Sequence, residues 1–311
     1  MNIRSTHKLV RGFTLGELLI SIGVLVLMVL LISRLFTAAT STIGVGQKRI
    51  DADSQIRPLF DRLAIDLAQM VKRTDVDFYG KGTTSGGTMT GAALSTINDR
   101  IAFYSAVSGD YPSTGSQSPF SMIAYKVNSS TAAANKDVYT RLQRMGRGLL
   151  MNGDSSDVKD GPVIFGPTSI SAVWTSVTSN ATTDSKYEVA CAQVFRFEYY
   201  YLLTNGSFSI TPWDLSAGHT DVSGLRDVAG IVVAVAAIDP TSRAVLSSDN
   251  SQIATIASKL PDYAITMGPG QLLAQWQSKL TTDATIKAMP RPAISGLRFY
   301  ERTFYLTPAS Q

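Results

Sequence analysis

The chain has 311 residues, 44% of them hydrophobic and 17% charged, a balance that buries a core and excludes a disordered chain. One cysteine, Cys191, rules out an intrachain disulfide, and two histidines, His7 and His219, leave too few soft ligands for a transition-metal site of the usual kind. The formal charge of +4 owes three of its units to Arg4, Lys8 and Arg11, so the remainder is near +1 and gives little support to nucleic-acid binding.

Residues 1–12 read as a basic leader ending in Gly12. Phe13 follows, then a lone carboxylate at Glu17, then an apolar run with no charge until Arg34. Residues 18–32 are apolar apart from Ser21 and Gly23, and Phe13, Leu15, Leu35 and Phe36 extend the run. The total, about 20–24 residues, spans a hydrocarbon core. A carboxylate at the edge of such a span is costly unless something pairs with it. A cut after Gly12 would give Phe13 a new α-amino group and make Glu17 the fifth residue. In a stack of helices, the ammonium of one subunit could then meet the carboxylate of its neighbour. Gly16 and Gly23 share a helix face and allow close helix approach, and Arg34 can snorkel to the far interface. The basic residues ahead of the span favour a cytoplasmic N-terminus. A plain signal anchor, or a secretory signal cut near Ala38-Ala39-Thr40-Ser41, leaves Glu17 unexplained.

This order of basic leader, Gly12, Phe13, Glu17 and apolar span resembles the class III signal of type IV prepilins and pseudopilins. The resemblance implies cleavage by a prepilin peptidase between Gly12 and Phe13 and N-methylation of Phe13 by the same enzyme. It further implies a single-pass protein of the inner membrane with its body outside the cytoplasm. Assembly with other pilins or pseudopilins would run through the helix, with Glu17 setting the register.

Residues 47–73 show a second helical pattern: Ile56, Leu59, Phe60, Leu63, Leu67, Met70 and Val71 recur at spacings of three and four. Arg57, Asp61, Arg62, Asp66 and Lys72 lie between them as a charged face, with Arg62–Asp66 as an i,i+4 pair. Pro58 predicts a kink or restart, and Gly44 and Gly46 a second weak point, so the N-terminal portion reads as one long interrupted helix. Its parts are a transmembrane half at 13–36 and an amphipathic half at 37–79, with a β-rich body over 80–311.

In the body, residues 80–98 and 108–119 read as loops and 100–106 as a strand. Strands are predicted at 120–127 and 138–142. Residues 189–203 give the strongest strand signal, with Phe195, Phe197, Tyr199, Tyr200 and Tyr201 alternating in and out. Thr204-Asn205-Gly206-Ser207 is a hairpin turn candidate. The β-branched and alanine run at 228–238 predicts a central strand buried on both faces. Residues 251–260 and 271–280 have helical spacing, and 297–306 read as an aromatic strand.

A long helix followed by a sheet-rich body gives an α+β class. The segment Asp61–Leu67, the tyrosine-rich strand with Trp213 downstream, and the apolar strand after it resemble the J-type minor pseudopilins of type II secretion. The aromatic stretch Arg298-Phe299-Tyr300-Glu301-Arg302 and the Ser/Thr-rich insertions also resemble the pilin-like cassette proteins of verrucomicrobial genomes. The resemblance implies a pilin-like fold, the helix packed on an antiparallel sheet.

No nucleophile elbow or phosphate-cradling loop occurs in the sequence, and no enzyme activity or cofactor is expected. Asp154, Asp157 and Asp160 form a Ca²⁺ candidate that lacks the Gly and terminal Glu of an EF-hand loop. Arg141, Arg144 and Arg147, with Lys126, form a basic cluster that could meet phosphate; no interleaved aromatics support base stacking, and a solvated face or an inter-subunit contact is the expectation. Cys191, in an apolar strand-like run, reads as a small buried side chain. The function expected is a structural minor pseudopilin or pilin subunit near a fibre tip. The alternative is a fibre-borne ligand-binding module, an adhesin or a DNA-uptake receptor.

Overall fold

The computed structural model describes residues 14–72, 78–81, 91–92, 97–110, 117–128, 139–148, 187–220, 224–246 and 250–306. Gly12, Phe13, Asp154, Asp157 and Asp160 lie outside them. The chain divides into two units, Met1–Lys48 and Arg49–Gln311. The described part of the first unit is helical from Leu15, the start of helix α1 (Leu15–Ala68).

In the second unit, the end of α1 supplies Ile56, Leu59, Leu63 and Leu67 to the core, as their spacing predicts. Pro58 stands inside the helix. An interior proline costs about 3 kcal/mol, and burial of Ile56 and Leu59 on either side of it offsets that cost. The helix therefore does not restart at Pro58. The helix also ends earlier than the pattern suggests, at Ala68. There the backbone turns to strand-like pairing: Val71 N donates to Tyr104 O at 2.8 Å, and Ala106 N to Gln69 O at 2.9 Å.

Two sheets carry the body. In the first, β3 (Arg100–Ser105), β6 (Ser121–Val127) and β7 (Leu142–Gly148) run antiparallel. β4 (Gly109–Asp110) and β5 (Gln117–Ser118) extend it, and β8 (Tyr187–Cys191) pairs antiparallel with β7. The second sheet is antiparallel throughout, in the order β10 (Phe208–Ser209), β9 (Val194–Leu203), β11 (Val228–Ile238), β12 (Leu297–Tyr305). A short parallel pair, β1 (Gly80–Lys81) with β2 (Gly91–Ala92), lies apart from both.

Two strand predictions need correction. The strand expected at 138–142 is β7, which starts at Leu142; Tyr139 and Thr140 form a turn in which Thr140 has a φ of 54°. The single strand expected at 189–203 is two strands in different sheets. The break falls at Ala192–Gln193, held by Ile238 N donating to Gln193 O at 3.0 Å and Arg243 Nη1 to Ala192 O at 3.1 Å. Arg243 also donates to Tyr139 O at 3.1 Å and Thr140 Oγ1 at 2.7 Å. Its guanidinium is pulled down to about 10 by burial and by Arg141 nearby.

The end of α1 shares one core with both sheets: Phe103 and Tyr125 from the first, Tyr199, Val233 and Phe304 from the second. On its other face the second sheet is covered by helices α3 (Ser251–Lys259) and α4 (Gln271–Thr282), after a short α2 (Pro240–Ala244). Two further turns of helix, α5 (Ala284–Lys287) and α6 (Arg291–Ile294), lead into β12. Ala234 and Ala236 leave room on that face for Trp276 and Ile253. β11 is thus buried on both faces, as its composition predicts, and so is β9. The aromatics of β9 do not alternate between core and solvent; they are divided between two cores.

Candidate functional site

The head of α1 is built by a local sequence signal. Thr14 and Glu17 form a Thr-x-x-Glu capping box. Glu17 N donates to Thr14 Oγ1 at 3.3 Å, and Thr14 N donates back to Glu17 Oε2 at 3.0 Å. The Thr14 hydroxyl also donates to Oε2, at 3.0 Å. Glu17 therefore closes the first turn of its own helix, a role the sequence reading did not assign to it.

Residues Leu15–Thr40 form a 26-residue stretch, long and apolar enough to cross a membrane, whose most apolar window has a mean hydropathy of 2.8. At 1.5 Å per residue it measures about 39 Å, more than a hydrocarbon core of about 30 Å. Its side chains are exposed all round. Glu17 and Arg34 bracket the uncharged part and stand about 25 Å apart along the axis. Each can then reach an interface while the residues between remain in lipid. Three hydroxyls of this stretch are satisfied locally: Ser21, Thr37 and Thr40 donate to carbonyls one turn back at 2.8, 2.9 and 2.8 Å. A Cβ at Gly16 or Gly23 would meet nothing within 4 Å, so that face is open to a close neighbour.

The basic cluster is not a solvated face. Arg144 makes a bidentate pair with Asp66 of α1, Nε to Oδ2 at 2.6 Å and Nη2 to Oδ1 at 3.0 Å. Tyr125 donates its hydroxyl to the same Oδ2 at 2.5 Å, and Arg62 approaches Oδ1 at 3.3 Å. The Arg62–Asp66 pair is thus present, but Asp66 is completely buried and does not belong to a charged surface. Lys126 is buried with its ammonium 3.9 Å from the Tyr187 ring centre, and Arg147 is buried too. Spacing explains Asp66: residues 56, 59, 63 and 66 fall on one helix face, so it lies within the apolar stripe.

A second buried polar cluster surrounds Glu198 on β9. Its Oε1 accepts from Lys81 Nζ and from Tyr263 N, the latter at 2.9 Å, and its Oε2 accepts from Arg196 Nη2 at 3.2 Å. Lys81 Nζ also donates to Asp99 Oδ2 at 2.9 Å, and Arg196 Nη2 to Asp262 Oδ1. Arg196 and Glu198 are wholly buried, whereas the Asp262 side chain is 32% exposed. Burial, reinforced by Asp99, pushes the Glu198 carboxyl up to about 8. The signal for this cluster is present in the sequence as an arginine and a glutamate inside an aromatic strand, Phe195-Arg196-Phe197-Glu198-Tyr199.

Cys191 is buried, and burial pushes its thiol up. His219 pairs through Nδ1 with Asp227 Oδ2 at 2.7 Å in the connection between β10 and β11. Among the described residues no group of three or more His, Cys, Asp or Glu side chains could hold a metal ion. No family model, no curated protein and no solved structure matches the chain.

Proposed function

We propose that the chain is a pilin-like fibre subunit, a minor pseudopilin or pilin, cut by a prepilin peptidase between Gly12 and Phe13 and held in the inner membrane until assembly. The observation that carries this reading is Glu17, a single carboxylate at the head of an exposed 26-residue apolar helix. In the single subunit that carboxylate caps its own helix through Thr14. In a fibre, the ammonium of a neighbour's Phe13 would compete for it. A charge-assisted bond in low dielectric is stronger than the neutral bonds it replaces, although desolvation offsets much of the gain. Its role is then alignment of neighbouring helices. The body, with its second sheet, helical layer and long insertions, is bulky for a tightly packed shaft and suits a low-copy position near the tip. The antiparallel sheets packed against the end of α1 are compatible with a pilin-like fold. The DNA-receptor alternative loses its candidate patch, because Arg144 and Lys126 are engaged within the protein.

Intact-mass and N-terminal analysis of the membrane form, with and without a co-expressed prepilin peptidase, tests the proposal. The expected product begins at N-methyl-Phe13 and requires the peptidase. Glu17→Ala should still be cut but should fail to enter fibres, since the carboxylate acts in register and not in cleavage. An uncut chain, or one cut near Ala39, would sink the reading.

A further inference from the structure

We infer that the cluster around Glu198 holds one shared proton at neutral pH and serves as a proton-dependent latch, fastening β1 and the Asp262–Tyr263 loop to β9 and letting the loop go when the proton leaves. The argument starts from charge. Lys81 and Arg196 bring two cations, and Asp99, Glu198 and Asp262 bring three carboxyls. With every group ionised, an uncompensated negative charge sits among side chains of which four are at most 3% exposed. Burying an unpaired charge is expensive. One proton among the three carboxyls brings the cluster to neutrality.

From β9, the Tyr199 hydroxyl accepts from Lys81 N at 2.5 Å, and the Tyr201 hydroxyl donates to Lys81 O at 3.2 Å. β11 places Ala234 beside Glu198 and Ala236 beside Arg196. Across Ala234 lies Glu301 of β12, a further carboxyl two strands from Glu198 on the same face. α4 contributes the Trp276 ring, 5.9 Å from the Arg196 guanidinium carbon.

The loop is the part that yields. Asp262 alone in the cluster is substantially exposed, so water can take up its charge with the least rearrangement. The loop is also tied by Tyr263 N to Glu198, the stack of Tyr263 on Tyr200 at 3.9 Å, Tyr263 Oη donating to Met267 O at 2.8 Å, and Trp276 Nε1 donating to Pro261 O at 2.7 Å. Its departure uncovers Tyr263 and Trp276.

Glu198 rises in the folded chain from its ordinary 4.5 to about 8. The folded state therefore keeps a proton that the unfolded state gives up. The resulting stability is complete below about 4.5 and is lost as pH rises through about 8. The test is denaturant unfolding of the full chain in detergent micelles across that window. Wild type should lose stability at a rate approaching tenfold in the unfolding constant per pH unit, the signature of one proton. Asp262→Asn removes the surplus carboxylate and should flatten this slope, leaving only what Glu301 and other groups supply. Glu198→Gln, which keeps most of the hydrogen bonds, should flatten it as well. If Glu198→Gln does not fold, the Asp262→Asn chain decides alone, because its change lies on a partly exposed loop. An unchanged slope in Asp262→Asn overturns the shared proton. Quenching of tryptophan fluorescence should rise with pH in wild type and not in Trp276→Phe; quenching independent of pH overturns the opening of the loop.

Discussion

Asp66 shows how much one side chain can fix. It enters the core on a helix face that is otherwise apolar, and it is tolerated there because Arg144, Tyr125 and Arg62 supply donors to both its oxygens. The pair ties α1 to the first sheet. Removing one partner strands the other, so Asp66→Ala should cost about 3–5 kcal/mol in denaturant unfolding. Replacing both partners with apolar residues, Asp66→Leu with Arg144→Met, should recover most of that loss, since desolvation of the ions disappears with them. A single-variant cost near the 0–1 kcal/mol typical of surface pairs would show that the ion pair does little. The same residue marks where sequence reading stops. Asp66 could be placed on the apolar face by counting. Its partner Arg144 is far along the chain and looked like one member of a basic run, because three arginines at spacing three say nothing about which carboxylate each will find.

Among the elements, legibility follows the range of the interaction that decides the outcome. β11 was readable because burial on both faces demands an uninterrupted apolar run, and residues 228–238 supply one. The hairpin after β9 was readable because its turn chemistry is local: Leu203 N donates to Ser207 O at 2.8 Å, and Gly206 takes a φ of 83°. Gly206→Ala has open space for its methyl group but must hold that left-handed backbone, so it should lose about 1–2 kcal/mol, read as a lower unfolding midpoint. No loss would mean that the turn relaxes to another type. The change of sheet between β8 and β9 was not readable. Residues 189–203 favour strand throughout, and the break at Ala192–Gln193 is imposed by distant groups, Arg243 and the end of β11. Pro58 is the same lesson in reverse: a local breaker signal overruled by the packing of the residues around it.

For the whole molecule, the distribution of burial separates the apolar helix from the body. The described core residues begin at Ala52, and the exposed apolar side chains from Leu15 to Phe36 belong to none of the core clusters. A chain beginning at Arg49 therefore retains every described core residue, including the helix face that carries Ile56, Leu59, Leu63 and Leu67. It loses the 26-residue apolar stretch that is long and apolar enough to cross a membrane. Such a chain should be soluble without detergent and should melt cooperatively within a few degrees of the full-length protein in micelles, as followed by circular dichroism. A subunit that passes from bilayer to fibre needs this independence, because only the environment of its apolar helix would change while the body stays folded. A truncated body that aggregates, or melts far below the full chain, would show that the body depends on the apolar segment. Transfer into a fibre would then require refolding as well as extraction, and the proposed role as a fibre subunit would lose its simplest physical basis.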